Sequence, residues 1–312
     1  MRNLTGENLT EAVLASFEGS ASPRLKEIMR SLVRHLHAFV EEVEPTEGEW
    51  FEAIKFLTRT GQISDDKRQE FILLSDTLGV SMLVVGINHR KATDTGATES
   101  AEAVEVVGGG NGHKTGVTEA TVFGPFFVEG APLFENGDDL ANGAPGEPCF
   151  VEGRVSSTNG EPIPNAHIEV WQADDEGLYD VQREELSEAQ GRGHLYADEE
   201  GQFHFRTVRP EPYPIPYDGP VGDMLKAANR SPMRPAHIHF MVSAPGYQTV
   251  TTHVFAAGDE HLDSDAVFGV KEPLIAPFER HEPGTAPEGT RMDRPFYTVS
   301  YDFVLAPSEE RG

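Results

Sequence analysis

From about residue 148 to the end, the sequence breaks into short runs in which apolar and polar residues alternate. A chain written this way folds into strands rather than helices. The runs are CFVEGRVSS (149–157), AHIEVWQAD (166–174), GQFHFRTV (201–208), AHIHFMVSA (236–244), QTVTTHVFAA (248–257) and FYTVSYDFVLA (296–306). Turn clusters such as TNGEPIPN, DDEG, DEEG and APGY separate them. Many short strands joined by Gly- and Pro-rich turns predict a β-sandwich.

The first ninety or so residues carry a different period. In SPRLKEIMRSLVRHLHAFVEEVEP, Ser22 stands at the N-cap, Pro23 at the first helical position and Pro45 beyond the end. Leu25, Ile28, Met29, Leu32, Val33, Leu36, Phe39 and Val40 then form one apolar stripe. Thr46 and Glu49 have the spacing of a capping box, and the helix they open ends at Gly61. SDDKRQEFILLSDTLGVSMLVVGINHR continues in helical phase through Phe71, Leu74, Leu78, Met82 and Val85. Ordinary helix packing accounts for most of these stripes, with part of the apolar surface left for contacts between subunits. The fold class is therefore α+β: a helical N-terminal dimerisation region (1–95), a Gly/Thr-rich connection or insertion (96–120) and a β-sandwich domain (121–312). GGGNG in the connection is no phosphate-binding loop, because no strand feeds it and no helix opening with Lys-Ser or Lys-Thr comes after it.

Fifty-two acidic against 25 basic residues give a formal net charge of -27, a field that repels phosphate backbones and argues against nucleic-acid binding. An acidic surface scarce in lysine also suits a salty cytoplasm, where activity and melting temperature would rise with potassium chloride. A single cysteine, Cys149, excludes an internal disulfide and reads as a small buried hydrophobe. No leader-like apolar region opens the chain and no stretch reaches the length of a membrane span, so a cytoplasmic protein is expected.

Within AHIHFMVSA, Ala236, Ile238, Phe240 and Val242 fall on one strand face and His237, His239 and Met241 on the other. Two imidazoles pointing the same way can grip a metal ion, or they can sit on a solvated or hydrogen-bonded face. Two of the seven tyrosines stand in unusual settings: Tyr179 comes after a strand and turn, and Tyr213 is wedged among prolines in PEPYPIPYDGP. A core role with a hydroxyl reaching the backbone accounts for either alone. Taken together, two phenolates and two neutral imidazoles would favour a hard cation, Fe(III), over Zn(II) or Cu(I).

RPAHIHF, IEVWQADDEGLYDVQ, PYPIPYDGP and TVFGPFFVEGAP together resemble the intradiol ring-cleaving dioxygenases of aromatic degradation, most nearly their hydroxyquinol-cleaving branch. EIMRSLVRHLHAFVEEVEPT, FLTRTGQISDDKRQEFILLSDTLGVSML and SDAVFGVKEPLI extend the resemblance over nearly the whole chain. It implies non-haem Fe(III) held by Tyr179, Tyr213, His237 and His239, and a catalytic domain over 121–312. It further implies that a catecholic substrate binds through two oxygens, that Tyr213 leaves as a base, and that O2 is inserted to give a muconate. Arg234 matches the arginine over the substrate ring; His253 is either a donor to oxygen held at the iron or a satisfied core histidine. The implied ring pocket comprises Leu73, Asp76, Val122, Phe123, Gly124, Pro125, Ile215, Pro216, Arg234 and Val267, with Asp76 suited to a third substrate hydroxyl. Homodimers with a phospholipid between the subunits are also implied. About twenty residues near 99–118 exceed the family pattern and lead into the Val122–Pro125 wall, where they would act as a lid or lie idle. Within the same family the alternative is cleavage of catechol or chlorocatechol; the rivals outside it are a non-catalytic sandwich binding module and a zinc hydrolase using His237 and His239, which leaves both tyrosines unexplained.

Overall fold

The computed structural model describes residues 4–65, 68–96, 116–183 and 185–308. The extra segment near 99–118 lies almost wholly outside the described residues. The chain forms two compact units, one up to Arg59 and one from Thr60 onward.

In the first unit, α1 (Gly6–Ala15) precedes α2 (Pro23–Val43). The Ser22 hydroxyl accepts the Leu25 N–H at 3.2 Å, and Glu44 in the left-handed region ends α2. α3 (Glu47–Ile63) opens with the expected reciprocal pair: Thr46 Oγ1 accepts from the Glu49 N–H at 3.2 Å, and Glu49 Oε2 accepts from the Thr46 N–H at 2.8 Å.

The expectation of one helix running through Phe71 to Val85 is corrected. The segment is two helices, α4 (Glu70–Thr77) and α5 (Val80–Gly96), bent by 75° at Leu78–Gly79. Gly79 adopts φ +73°, a left-handed conformation open to glycine and costly for most side chains, and its N–H donates to the Asp76 carbonyl at 2.9 Å. Helical phase persists across the break because Leu74 and Met82 pack against the same cluster. The bend falls directly after the buried end of α4, where Leu73, Asp76 and Thr77 lie. Glu70 Oε1 accepts the Val221 N–H at the start of α6 (Pro220–Ala227), which ties α4 to the β domain. No single helix among the described residues is long and apolar enough to cross a membrane.

The β domain contains two five-stranded sheets. In one, β1 (Pro148–Ser157) is flanked by β4 (Gln202–Val208), β11 (Phe296–Ser300) and β12 (Phe303–Leu305), with β10 (Glu279–His281) beside β11. The other runs β3 (Arg192–Tyr196), β2 (His167–Trp171), β7 (His237–Ser243), β8 (Val250–Ala256) and β9 (Ile275–Ala276). A two-stranded ribbon, β5 (Tyr213–Pro214) with β6 (Met233–Arg234), completes it. The run 296–306 is two strands rather than one. Both lie parallel to β1, but Asp302 turns its carboxylate to the Arg154 N–H at 2.9 Å and interrupts the ladder between them.

The facing sides of the sheets share one core. Val151, Val155, Phe203, Phe205, Phe303 and Leu305 meet Ile168, Val170, Leu195, Ile238, Phe240, Val242 and Val254. Phe240 and Phe303 touch across it with ring centroids 5.0 Å apart. Each large side chain buried there contributes about 1.5–3 kcal/mol, so the inner face of β7 is committed to packing. Cys149 lies in this core, and burial pushes its thiol pKa upward. The opposite face of β7 is left to carry something else.

Candidate metal centre

Strand register assembles the first half of the site. Arg192 on β3 stands opposite Trp171 on β2, Trp171 opposite His239 on β7, and His239 opposite His253 on β8. Directly paired residues point to the same face, so these four side chains form a row across the sheet. His237, two residues from His239, joins them. The Trp171 indole stacks on the His239 ring at 4.7 Å and 19°.

The tyrosines arrive from loops. Asp174 Oδ1 accepts the N–H groups of Glu176 and Leu178 at 3.0 and 3.1 Å, which winds the turn after β2 and delivers Tyr179 to the start of a short 3-10 turn. Gly177, at φ +76°, lets this turn approach Tyr213, since a Cβ there would lie 2.6 Å from the Tyr213 Cβ. Tyr213 precedes a proline and is held extended in β5, paired in register with Arg234. Arg192 and Asp180 lock the Tyr179 turn from behind through contacts of 2.7, 3.0 and 3.1 Å, and Arg192 Nη2 also donates to the Phe126 carbonyl at 2.8 Å. The Phe126 ring stacks on Tyr179 at 4.4 Å.

Four donor atoms thereby converge. Tyr179 Oη is 2.9 Å from Tyr213 Oη and 3.0 Å from His239 Nε2. His237 Nε2 is 3.4 Å from Tyr213 Oη and 3.2 Å from His239 Nε2. Ligands bound about 2.0–2.2 Å from one ion stand roughly 3–3.5 Å from each other, so these spacings fit a shared cation. All four side chains are almost completely buried.

The electrostatics agree with that fit. Burial first, then the Arg234 charge, drives the His237 pKa down to about 3; burial and neighbouring His237 lower His239 as well. His237 Nδ1 lies 2.6 Å from the Pro235 carbonyl, a contact that places the proton on Nδ1 and leaves the Nε2 lone pair facing the tyrosines. Burial raises both tyrosines above the ordinary phenol value. Only a strong positive charge at the meeting point would ionise them. A third histidine, His253, brings a ring nitrogen within 4.8 Å of those of His237 and His239. His253 Nδ1 is 2.7 Å from Thr121 Oγ1, while its Nε2 has no partner. His239 Nδ1, Asp76 Oδ1 and Trp171 Nε1 are also buried without a partner.

Around the donors, Leu73, Val122, Ile215 and Val267 share one buried apolar cluster with Val221, Leu225 and Ala266. The backbone at Gly124 passes against the His239 ring, and Pro125 and Pro216 are half-buried. Phe123 sits elsewhere: its ring is largely exposed, edge-on to Phe127 at 4.5 Å and tilted over Trp171. Arg234 is buried with Nη1 3.1 Å from His237 Nε2. Its Nε donates to Asp265 Oδ1 at 3.0 Å. Asp265, Arg192, Asp180 and Trp171 are not among the residues that the sequence singles out. Aspartate is too abundant in this chain for position alone to mark one, and only the strand register pairs Arg192 with the site.

Comparison with known proteins gives the same architecture and chemistry a family. A family model described as "Dioxygenase" matches residues 122–307, and one described as "Catechol dioxygenase N terminus" matches residues 22–96. The chain is 50% identical over 303 residues to hydroxyquinol 1,2-dioxygenase of Nocardioides simplex, covering 97% of this chain and 96% of that one. It is 51% identical over 308 residues to 6-chlorohydroxyquinol 1,2-dioxygenase of Cupriavidus pinatubonensis, covering 99% and 100%. The crystal structure of hydroxyquinol 1,2-dioxygenase from Pseudomonas putida matches with a TM-score of 0.82 at 47% identity, over 97% of this chain and 99% of that one. With the fold, the buried Tyr/His cluster and near-full-length identity in accord, the chain belongs to the intradiol ring-cleavage dioxygenase family.

Proposed function

We propose that this enzyme opens hydroxyquinol (benzene-1,2,4-triol) with O2 between the two carbons that carry its vicinal hydroxyls, giving 3-hydroxy-cis,cis-muconate, the tautomer of maleylacetate. The observation that carries this reading is the convergence of Tyr179, Tyr213, His237 and His239 on one point, with donor spacings of 2.9–3.4 Å. These residues would hold a non-haem Fe(III), whose charge would ionise the phenols and draw the diol oxygens of the substrate into its coordination sphere.

The chain's own residues do the rest. By the family resemblance Tyr213 is the donor that would leave and take a substrate proton; β5 holds it in register with the Arg234 cation. Arg234 keeps its charge although burial opposes it, because Asp265 and the tyrosines outweigh the loss of water; its Nη1 faces the donor cluster, where negative charge develops on the ring. Leu73, Val122, Ile215 and Val267 supply the apolar side chains that an aromatic guest requires; Gly124, Pro125 and Pro216 are assigned to the same pocket, whereas the Phe123 ring stands apart from it against Phe127 and Trp171. Asp76 breaks the apolar pattern. Burial raises its carboxyl pKa against the opposing pull of Ser81 and Arg234, and Oδ1 is unpartnered, which suits a third substrate hydroxyl. His253 Nε2 supports a role as a further contact to oxygen at the site. A cytoplasmic homodimer joined through the helical region, with a phospholipid between the subunits, belongs to the same reading. The exposed Leu25, Ile28, Leu32, Leu36 and Phe39 of α2 support such a contact.

The visible spectrum of the purified protein tests the proposal. A broad phenolate-to-Fe(III) absorption band that shifts on anaerobic addition of benzene-1,2,4-triol is expected. A colourless protein that remains so after reconstitution with ferric or ferrous iron would return His237 and His239 to a hydrogen-bonding role and overturn the reading. A panel of triol, catechol and chlorinated analogues then ranks the substrates.

A further inference from the structure

The two histidines of the donor cluster are held in different ways. His237 opens β7, and its Nδ1 lies 2.6 Å from the carbonyl of Pro235, just outside the strand. A hydrogen bond from the far ring nitrogen is the usual means of orienting a ligating imidazole. His239 has none, and its Nδ1 is buried without a partner. Its position in the sheet explains the difference. His239 is paired with Trp171 on one side and His253 on the other, so the two ladders take up the backbone groups around it.

An aromatic stack touches the His239 ring instead. The Trp171 indole lies on it at 4.7 Å and 19°. The indole is braced in turn by Phe123, 5.8 Å away and tilted by 33°, and by Phe127, which meets it edge-on at 5.1 Å. Phe123 and Phe127 pack edge to face at 4.5 Å. Gly124, between them in the chain, brings its backbone so close to His239 that a Cβ there would lie 3.1 Å from Cε1.

We propose that Phe123 and Trp171 are positioning residues that orient His239 by stacking, in place of the hydrogen bond that His237 has. The inference rests on the reading of His239 as an iron ligand and adds what holds it in that role. Stacking sets the plane of the imidazole, and the Gly124 backbone limits its swing, so together they fix where the Nε2 lone pair points. Phe123 thereby takes a part different from the one implied by resemblance: its ring acts through Trp171 and not on the substrate. His239 is also the more weakly held of the two histidines, because packing fixes a ring less sharply than a hydrogen bond does.

The test uses full-length, iron-loaded protein carrying Trp171→Leu, Trp171→Phe or Phe123→Leu. Three quantities are read: the rate of iron loss to a chelator, the rhombicity of the ferric EPR signal, and the anaerobic Kd for benzene-1,2,4-triol. Trp171→Leu is expected to lose iron about 10- to 100-fold faster, the usual effect of removing a group that orients a ligand, and to alter the EPR signal. Trp171→Phe, which keeps a stacking face, is expected to recover most of both. Phe123→Leu is expected to speed iron loss roughly two- to tenfold, the worth of one aromatic pair, with the Kd for the triol within about twofold of the parent. Leu195→Ala, in the core on the other face of the sheet, lowers Tm and leaves the ferric signal as it is. An equal change of that signal in Leu195→Ala would make the effect one of general stability and overturn the inference. Weaker triol binding in Phe123→Leu with iron loss and EPR signal unchanged would put Phe123 on the substrate, and likewise overturn it. Should Trp171→Leu fail to fold, Phe123→Leu decides alone, since its side chain is largely exposed. A parent with a normal ferric signal and variants that match it sinks this inference only; a parent that takes up no iron sinks the metal-site reading as well.

Discussion

His239→Ala yields a protein that retains little iron and whose turnover falls by at least about 100-fold, more than removal of a residue that merely orients a ligand usually costs a metal site. The imidazole supplies one of the four converging atoms, 3.0 Å from Tyr179 Oη and 3.2 Å from His237 Nε2. Its ring is held between the Trp171 indole and the backbone at Gly124. His253 is the neighbour to watch, since its ring lies 4.1 Å from that of His239, centroid to centroid. Metal analysis and the visible band of the variant decide the matter. Full iron content with an unaltered band would remove His239 from the donor set and put His253 in it.

Arg192→Ala has its main effect on stability. Both the guanidinium and the Asp180 carboxylate are nearly inaccessible, and they are joined in side-on fashion. Deleting one member of a buried pair leaves the other charged and unpaired, at a cost of about 3–5 kcal/mol. For a unit of this size that lowers Tm by roughly 6–20 °C, measurable by calorimetry. Arg192→Lys recovers only part of the loss, because an ammonium cannot reproduce the planar fork. The same change loosens the metal centre: Asp180 adjoins Tyr179, and Arg192 also anchors the carbonyl of Phe126, whose ring lies on Tyr179. A Tm within about 2 °C of the parent would mean that water reaches the pair and screens it.

The sequence is most informative where a local rule and the tertiary structure agree. Alternation in AHIHFMVSA places Ile238, Phe240 and Val242 in the core and both histidines opposite, because one face of β7 has no alternative but the other sheet. The caps at Ser22 and Thr46 are legible for the same reason, being completed within three residues. Features completed by distant partners are not. The break at Gly79 is hidden by an apolar phase that continues across it. The division of 296–306 depends on Asp302 meeting Arg154, 148 positions earlier. β3 carries His194 and Arg192 and is too short and polar to advertise itself. Tyr179, Tyr213 and Arg234 could be picked out by resemblance, but Asp265 and Asp180 acquire meaning only from the guanidinium each one faces.

The parallel pairing of β11 and β12 with β1 sets an order of events during synthesis. The sheet built on β2, β7 and β8, which bears both histidines, has those three strands complete in sequence by Ala256. β1 must wait for Phe303–Leu305, about 150 residues after its own end, before its last hydrogen-bonding edge is covered. At translation rates of about 5–20 residues per second, that wait lasts roughly 7–30 s. β4 covers one edge of β1 early in that wait, but the other edge stays open until β11 and β12 arrive, so the nascent chain exposes an apolar strand edge for most of the time taken to make this domain.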